Sequence, residues 1–151
     1  DEDNPSGIDK IVDQQFEFAK IILDAGLTPI IEPEITINIS HKSKAEEILK
    51  KSLTKNLNKL NSKQSILLKL TLPEKENFYE ELVKHPNVLR VVALSGGYSL
   101  TEANKRLEEN SGVIASFSRA LTQSLFIHQN NDEFNLALEQ SISAIATASK
   151  T

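Results

Sequence analysis

Lys69 stands inside the run Ser65-Ile66-Leu67-Leu68-Lys69-Leu70-Thr71-Leu72, where its near neighbours are apolar and the length is that of a strand. Burying an ammonium costs several kcal/mol unless the group is paired or gives up its proton. A lysine in such a place either snorkels from the strand end or serves as a nucleophilic amine, and the second use is Schiff-base chemistry. At an ordinary pKa only about one lysine amine in 2,500 is neutral at pH 7, and desolvation toward a pKa of about 7 raises that fraction roughly a thousandfold. Glu32 and Glu34 lie two apart around Pro33 and project from one face of an extended chain. Pro33 removes a ladder donor and holds Glu32 extended. Two carboxylates on one inward face repel, which should raise the pKa of one of them and suits acid and base work. A solvated loop just beyond the strand is the alternative.

Ser95-Gly96-Gly97 runs into Ser99 with Glu102, a capping-box spacing. Small residues there let backbone N–H groups approach an anion at the positive end of a helix, although a plain strand-to-helix turn reads the same way. Arg119 follows Ser116-Phe117-Ser118 and adds a guanidinium suited to phosphate.

The elements that must carry these residues alternate regularly. A helix is expected from about Gly7 to Ala25 with Ile8, Ile11, Val12, Phe18, Ala19 and Ile22 on its apolar stripe, and Gly26 as its stop. Asp1 to Gly7 reads as a loop. A strand over Thr28–Ile35 follows, then a helix opened by Ser43 with Glu46 and carrying Ala45, Ile48, Leu49, Leu53, Leu57 and Leu60 on one face. After the Lys69 strand come a short helix near Phe78–Lys84, a strand at Val88–Leu94, the helix capped by Ser99, a strand at Val113–Phe117 and a helix at Arg119–Phe126. The closing helix, Asp132 to about Ala148, spaces Phe134, Leu138, Ile142 and Ile145 on a stripe. Continuous apolar strands, each followed by a helix, predict a parallel α/β sheet with both faces covered.

Four βα units are half of a parallel (β/α)8 TIM barrel, which usually takes about 250 residues, whereas this chain has 151. A small doubly wound sheet is the rival, but its Gly-rich first turn is replaced by Glu32-Pro33-Glu34. In either architecture the chemistry belongs at the C-terminal ends of the strands, and the last two loops of a barrel are its recurrent phosphate site. The chain contains no methionine, even at position 1, so its N-terminus is expected to arise by processing, by truncation, or as part of a longer chain.

With 39% hydrophobic and 25% charged residues the composition is that of a globular domain. The absence of cysteine excludes disulfides, thiolate metal sites and cysteine nucleophiles. His41, His85 and His128 are too scattered to suggest a metal site. A net charge of -4 argues against a nucleic-acid footprint. No apolar run is long enough for a membrane span, and the cytoplasm is the default compartment.

Taken together, Pro29-Ile30-Ile31-Glu32-Pro33-Glu34, Leu67-Leu68-Lys69-Leu70, Leu94-Ser95-Gly96-Gly97 and Ser116-Phe117-Ser118-Arg119-Ala120-Leu121 resemble, in order and spacing, the class I fructose-bisphosphate aldolases, especially the bacterial type. The resemblance covers essentially the whole chain and implies residues 1–151 to be the C-terminal half of a TIM-barrel aldolase domain. The family's first-strand aspartate and the basic residues of its early strands have no counterpart here. Ser118-Arg119 lacks the residues that vertebrate members insert between the serine and the arginine, and their tyrosine-ended tail is absent.

The resemblance implies Lys69 as the Schiff-base lysine, Glu32 as proton acceptor and donor, and Glu34 as a second acid near the imine. It further implies Ser95, Gly96, Gly97, Ser118 and Arg119 around a substrate phosphate. It calls for no metal and no cofactor, and for sugar phosphates as ligands. Half a barrel with two open edges should form a homo-oligomer or associate with the N-terminal half, and a non-catalytic half-barrel is the competing reading. A Schiff-base aldolase acting on deoxyribose phosphate or transaldolase substrates would share the lysine but not the Glu-Pro-Glu and Ser-Gly-Gly pair.

Overall fold

The computed structural model describes residues 3–151. Along the chain run α1 (Pro5–Asp24), β1 (Ile30–Ile31), α2 (Lys42–Leu57), β2 (Ile66–Thr71), α3 (Glu80–Val83), β3 (Val88–Leu94), α4 (Leu100–Glu108), β4 (Val113–Ala115) and α5 (Asn131–Ala148). The strands form one parallel sheet in the order β1-β2-β3-β4. A doubly wound sheet reverses its strand order at a switch point, whereas an order that follows the chain is the arc of a barrel. The fold is therefore α/β, consistent with the last βα units of a TIM barrel.

The two faces of the sheet differ. Ile66, Leu68 and Leu70 are buried in one core with Leu49, Leu53 and Leu57 of α2 and with Leu82 and Leu107. The alternate residues Leu67, Lys69, Val92 and Ile114 are only half-buried, and Ile30 and Arg90 are exposed. The expectation that both faces are covered is thus corrected: helices cover one face, and the other has the character of a barrel interior.

Local chemistry moved several boundaries. Pro5, Ser6 and Gly7 are helical rather than loop, because Asn4 caps the Gly7 N–H at 3.2 Å and Pro5 sits where a missing N–H costs nothing; Asp1 and Glu2 lie outside the described residues. α2 has His41 at its N-cap and no side-chain cap, so Ser43 with Glu46 is not a capping box. Lys42, four residues before Glu46, draws that carboxylate inward instead. Residues 119–124 form successive turns rather than the expected helix, and the Thr122 hydroxyl competes for the Ser118 carbonyl at 3.3 Å. β1 keeps two residues of the expected Thr28–Ile35 strand, and β4 stops at Ala115.

The outer stripes are another departure. In α1 the core takes Val12, Phe16 and Ala19, leaving Ile11, Phe18 and Ile22 exposed. α5 buries only Ser141 and Ala148, with Phe134 and Ile142 exposed and Leu138 and Ile145 half-buried. No helix among the described residues is long and apolar enough to cross a membrane.

Behind the C-terminal end of β2 lies a charged cluster. Lys42 pairs with Glu46, donates to the Leu72 carbonyl at 2.8 Å and stands 3.3 Å from Glu74, while the Glu74 N–H donates to Glu46 at 3.2 Å. Arg106 donates to the Pro73 carbonyl and stacks over the Tyr98 ring at 4.4 Å. The turn after β2 is thereby tied to α2 and α4. Burial holds the Glu46 carboxyl above the usual glutamate range, with Lys42 opposing that rise. Removing Lys42 lifts it further, so at neutral pH the folded state carries a buried charge that protonation relieves. Lys42→Met is expected to cost about 3–5 kcal/mol near pH 7, and the loss should shrink as pH falls toward the ordinary glutamate pKa of about 4.3. Urea unfolding at pH 7 and pH 5 checks this, and a loss independent of pH would contradict it.

Candidate active site

The last β1–β2 pairing is Ile31 opposite Leu68, which brings the next residues side by side, Glu32 just past the end of β1 and Lys69 two residues before the end of β2. Glu32 Oε1 lies 2.5 Å from Lys69 Nζ. The Lys69 side chain is a quarter exposed, so it is held at the wall of an opening rather than sealed inside the sheet. Pro33 is buried while Glu32 and Glu34 are exposed, the alternation that their spacing predicts.

One cavity of about 150 Å3 is lined by Glu32, Glu34, Lys69, Leu94, Ser95, Gly96, Ser116, Ser118 and Arg119. Gly97 stands just behind its wall, since a Cβ there would lie 4.0 Å from Arg119 Nη1. Residues from the ends of all four strands thus converge on an amine, two carboxylates, three hydroxyls and a guanidinium. Such a set can form an imine, move protons beside it and hold an anion.

The N-terminus of α4 departs from expectation. Ser99 Oγ accepts from the Glu102 N–H at 3.2 Å, but Glu102 turns its own carboxylate to Arg106 at 2.7 Å, so the reciprocal half of the capping box is missing. The Leu100 N–H donates to Gln123 Oε1 at 2.8 Å. Two of the first helical amides are therefore satisfied by side chains, and the groups left to meet an anion are the glycine turn and Arg119 at the cavity.

The remaining features stand apart from this cavity. A larger depression of about 440 Å3 on the outer face, bordered by α2 and Phe78, has its Lys50 engaged by Glu81 at 2.9 Å and by the Phe78 ring. Its open, internally paired lining offers no convergent chemistry. The histidines share no site: His41 precedes α2, His85 bonds Asn58 and the Asn87 N–H, and His128 stacks on Phe126.

No family model matches the chain. Among curated proteins it is 58% identical over 148 residues to the fructose-bisphosphate aldolase class 1 of Synechocystis. It is 53% identical over 150 residues to that of Clostridium acetobutylicum and 52% over 146 residues to that of Porphyromonas gingivalis. Over nearly its whole length the chain is similar to class 1 fructose-bisphosphate aldolases. The alignments take in 97–99% of this chain and 49–51% of the relatives, so the chain spans about half the length of the curated aldolases it matches, consistent with a C-terminal half.

Sequence reasoning missed several residues in and around this cavity. Ser116 lines it beside Ser118, and the spacing of two on a strand end could have announced the pair. Leu94, which lines it, and Gln15, Thr71 and Gln123, which bond the backbone of the flanking segments, had no such signal, because their places follow from tertiary contacts.

Gly96 has φ +60°, and a Cβ there would meet Ile37 Cγ2 at 2.8 Å; Gly26 has φ +77° with nothing within 4 Å. Gly96→Ala is expected to destabilise by about 1–3 kcal/mol, and Gly26→Ala by only the backbone part, about 1 kcal/mol. Chemical denaturation of both variants is the check, and equal losses would remove the close-approach argument for Gly96.

Proposed function

We propose that this chain carries the Schiff-base centre of a fructose-1,6-bisphosphate aldolase, a lyase of glycolysis and gluconeogenesis acting in the cytoplasm. The observation that carries the reading is the single cavity in which Lys69 and Glu32 touch while Glu34, Ser95, Gly96, Ser118 and Arg119 share the wall. The names of the half-matched relatives support it.

In this reading Lys69, as the free amine, attacks the C2 ketone of the open-chain sugar, and loss of water leaves an iminium, with Glu34 as the acid beside it. Glu32 accepts the proton of the C4 hydroxyl as the C3–C4 bond breaks, and the bonding pair passes into the iminium to give an enamine. Glyceraldehyde 3-phosphate leaves. Glu32 returns the proton to C3, and water hydrolyses the iminium to release dihydroxyacetone phosphate and restore the amine. Arg119, Ser118 and the Ser95-Gly96-Gly97 turn hold a phosphate of the substrate, which fixes the ketone against Lys69.

A second reading, favoured by the uncovered stripes of α1 and α5 and by Ile30 at 55% exposure on the edge strand, is that these 151 residues are a half-barrel that is silent alone and associates with itself or with a barrel's first half.

Borohydride trapping with dihydroxyacetone phosphate, followed by peptide mapping, tests the chemistry on the full-length polypeptide that carries this sequence. An adduct on Lys69 is expected, with none in Lys69→Arg; an unmodified Lys69 would end the assignment. Glu32→Gln should still trap but cleave fructose 1,6-bisphosphate about 10²- to 10⁴-fold more slowly. Turnover of deoxyribose 5-phosphate in preference to the bisphosphate would name a different aldolase. For the 151-residue chain alone, light scattering should show self-association, or capture of the first half of a barrel when that is supplied. A stable, inactive monomer that captures nothing would count against the half-barrel.

A further inference from the structure

The segment that bears the two carboxylates has lost its backbone ladder. β1 ends at Ile31, and Pro33 has no N–H to offer, so Glu32 through Ile35 runs beside the C-terminal half of β2 without ladder pairing. Side chains supply the missing bonds. The Glu32 N–H donates to Gln15 Oε1 of α1 at 2.9 Å. Three residues on, Thr71 Oγ1 accepts from the Ile35 N–H at 3.0 Å and donates to the Ile35 carbonyl at 3.0 Å. One hydroxyl thus does for Ile35 what a neighbouring peptide does in a ladder, satisfying both its donor and its acceptor.

We infer that Thr71 and Gln15 are positioning residues that hold Glu32 and Glu34 against Lys69 in place of strand pairing, an inference that rests on the aldolase reading of this cavity. Thr71 is two residues beyond Lys69 and projects from the same face of β2, so a single strand presents the amine and the strut for the carboxylates. The hydroxyl is buried at 2% exposure, and Ile35 packs into the core at 7%, so no water replaces the paired bonds. Gln15 grips the other end from the helix layer. Between the two struts only Glu32, Pro33 and Glu34 span the cavity wall, and the Glu32 carboxylate arrives on Lys69.

Loosening a strut should leave Lys69 able to form its imine while spoiling the proton transfer that follows. Thr71→Val keeps the shape and removes the hydroxyl. In the full-length polypeptide carrying this sequence, Thr71→Val is expected to lower kcat for fructose 1,6-bisphosphate about 10- to 100-fold, with KM nearly unchanged. Borohydride trapping of dihydroxyacetone phosphate on Lys69 should persist, and Thr71→Ser should restore most of kcat. Gln15→Leu, outside the buried core, should show the same split in milder form and keeps the test alive should Thr71→Val fail to fold. Wild-type kcat in both variants would overturn the inference while the aldolase reading stands, and so would equal losses of trapping and cleavage, the mark of a merely structural role. Absence of an adduct on the wild-type polypeptide would instead overturn the aldolase reading, and the inference with it.

Discussion

The parallel register between β1 and β2 is the constraint on which the site depends. Because Ile31 stands opposite Leu68, the next step along both strands sets Glu32 beside Lys69, and the period of two sends both side chains to the face that helices leave uncovered. A slip of one residue would turn Lys69 into the leucine core and Leu68 to the cavity. The buried row of Ile66, Leu68 and Leu70 against α2 forbids that slip, so the hydrophobic core also positions the amine.

Much of this was legible in the chain because it rests on local rules. The βα alternation, the Val88–Leu94 strand and the face shared by Glu32 and Glu34 follow from apolar runs and from a period of two. What was not legible depends on partners distant in sequence. Nothing near Glu46 announces that the Glu74 amide will join Lys42 in claiming it, and a capping-box pattern therefore misled. Thr71 looks like any β-branched strand residue until Ile35, 36 positions away, is brought to its hydroxyl. The anion wall is similar: the Ser95-Gly96-Gly97 turn before the helix implied amides open to an anion, and the remote Gln123 occupies one of them.

Apolar stripes carried a different ambiguity. Periodicity marks a face as apolar without saying what covers it, so the stripe of α5 reads like a core stripe although Phe134 and Ile142 are exposed here. The same holds for α1, where one face meets α2 and a second, carrying Ile11, Phe18 and Ile22, is left exposed.

The bond from the Leu100 amide to Gln123 joins the turn after β3 to the turn after β4. Two loops that would otherwise fluctuate separately are thereby coupled into one jaw, with the glycine wall and the arginine moving together. On the proposed reading, a phosphate entering between them would meet a shape already assembled, and the ordering entropy that two independent loops would lose on binding would have been spent during folding.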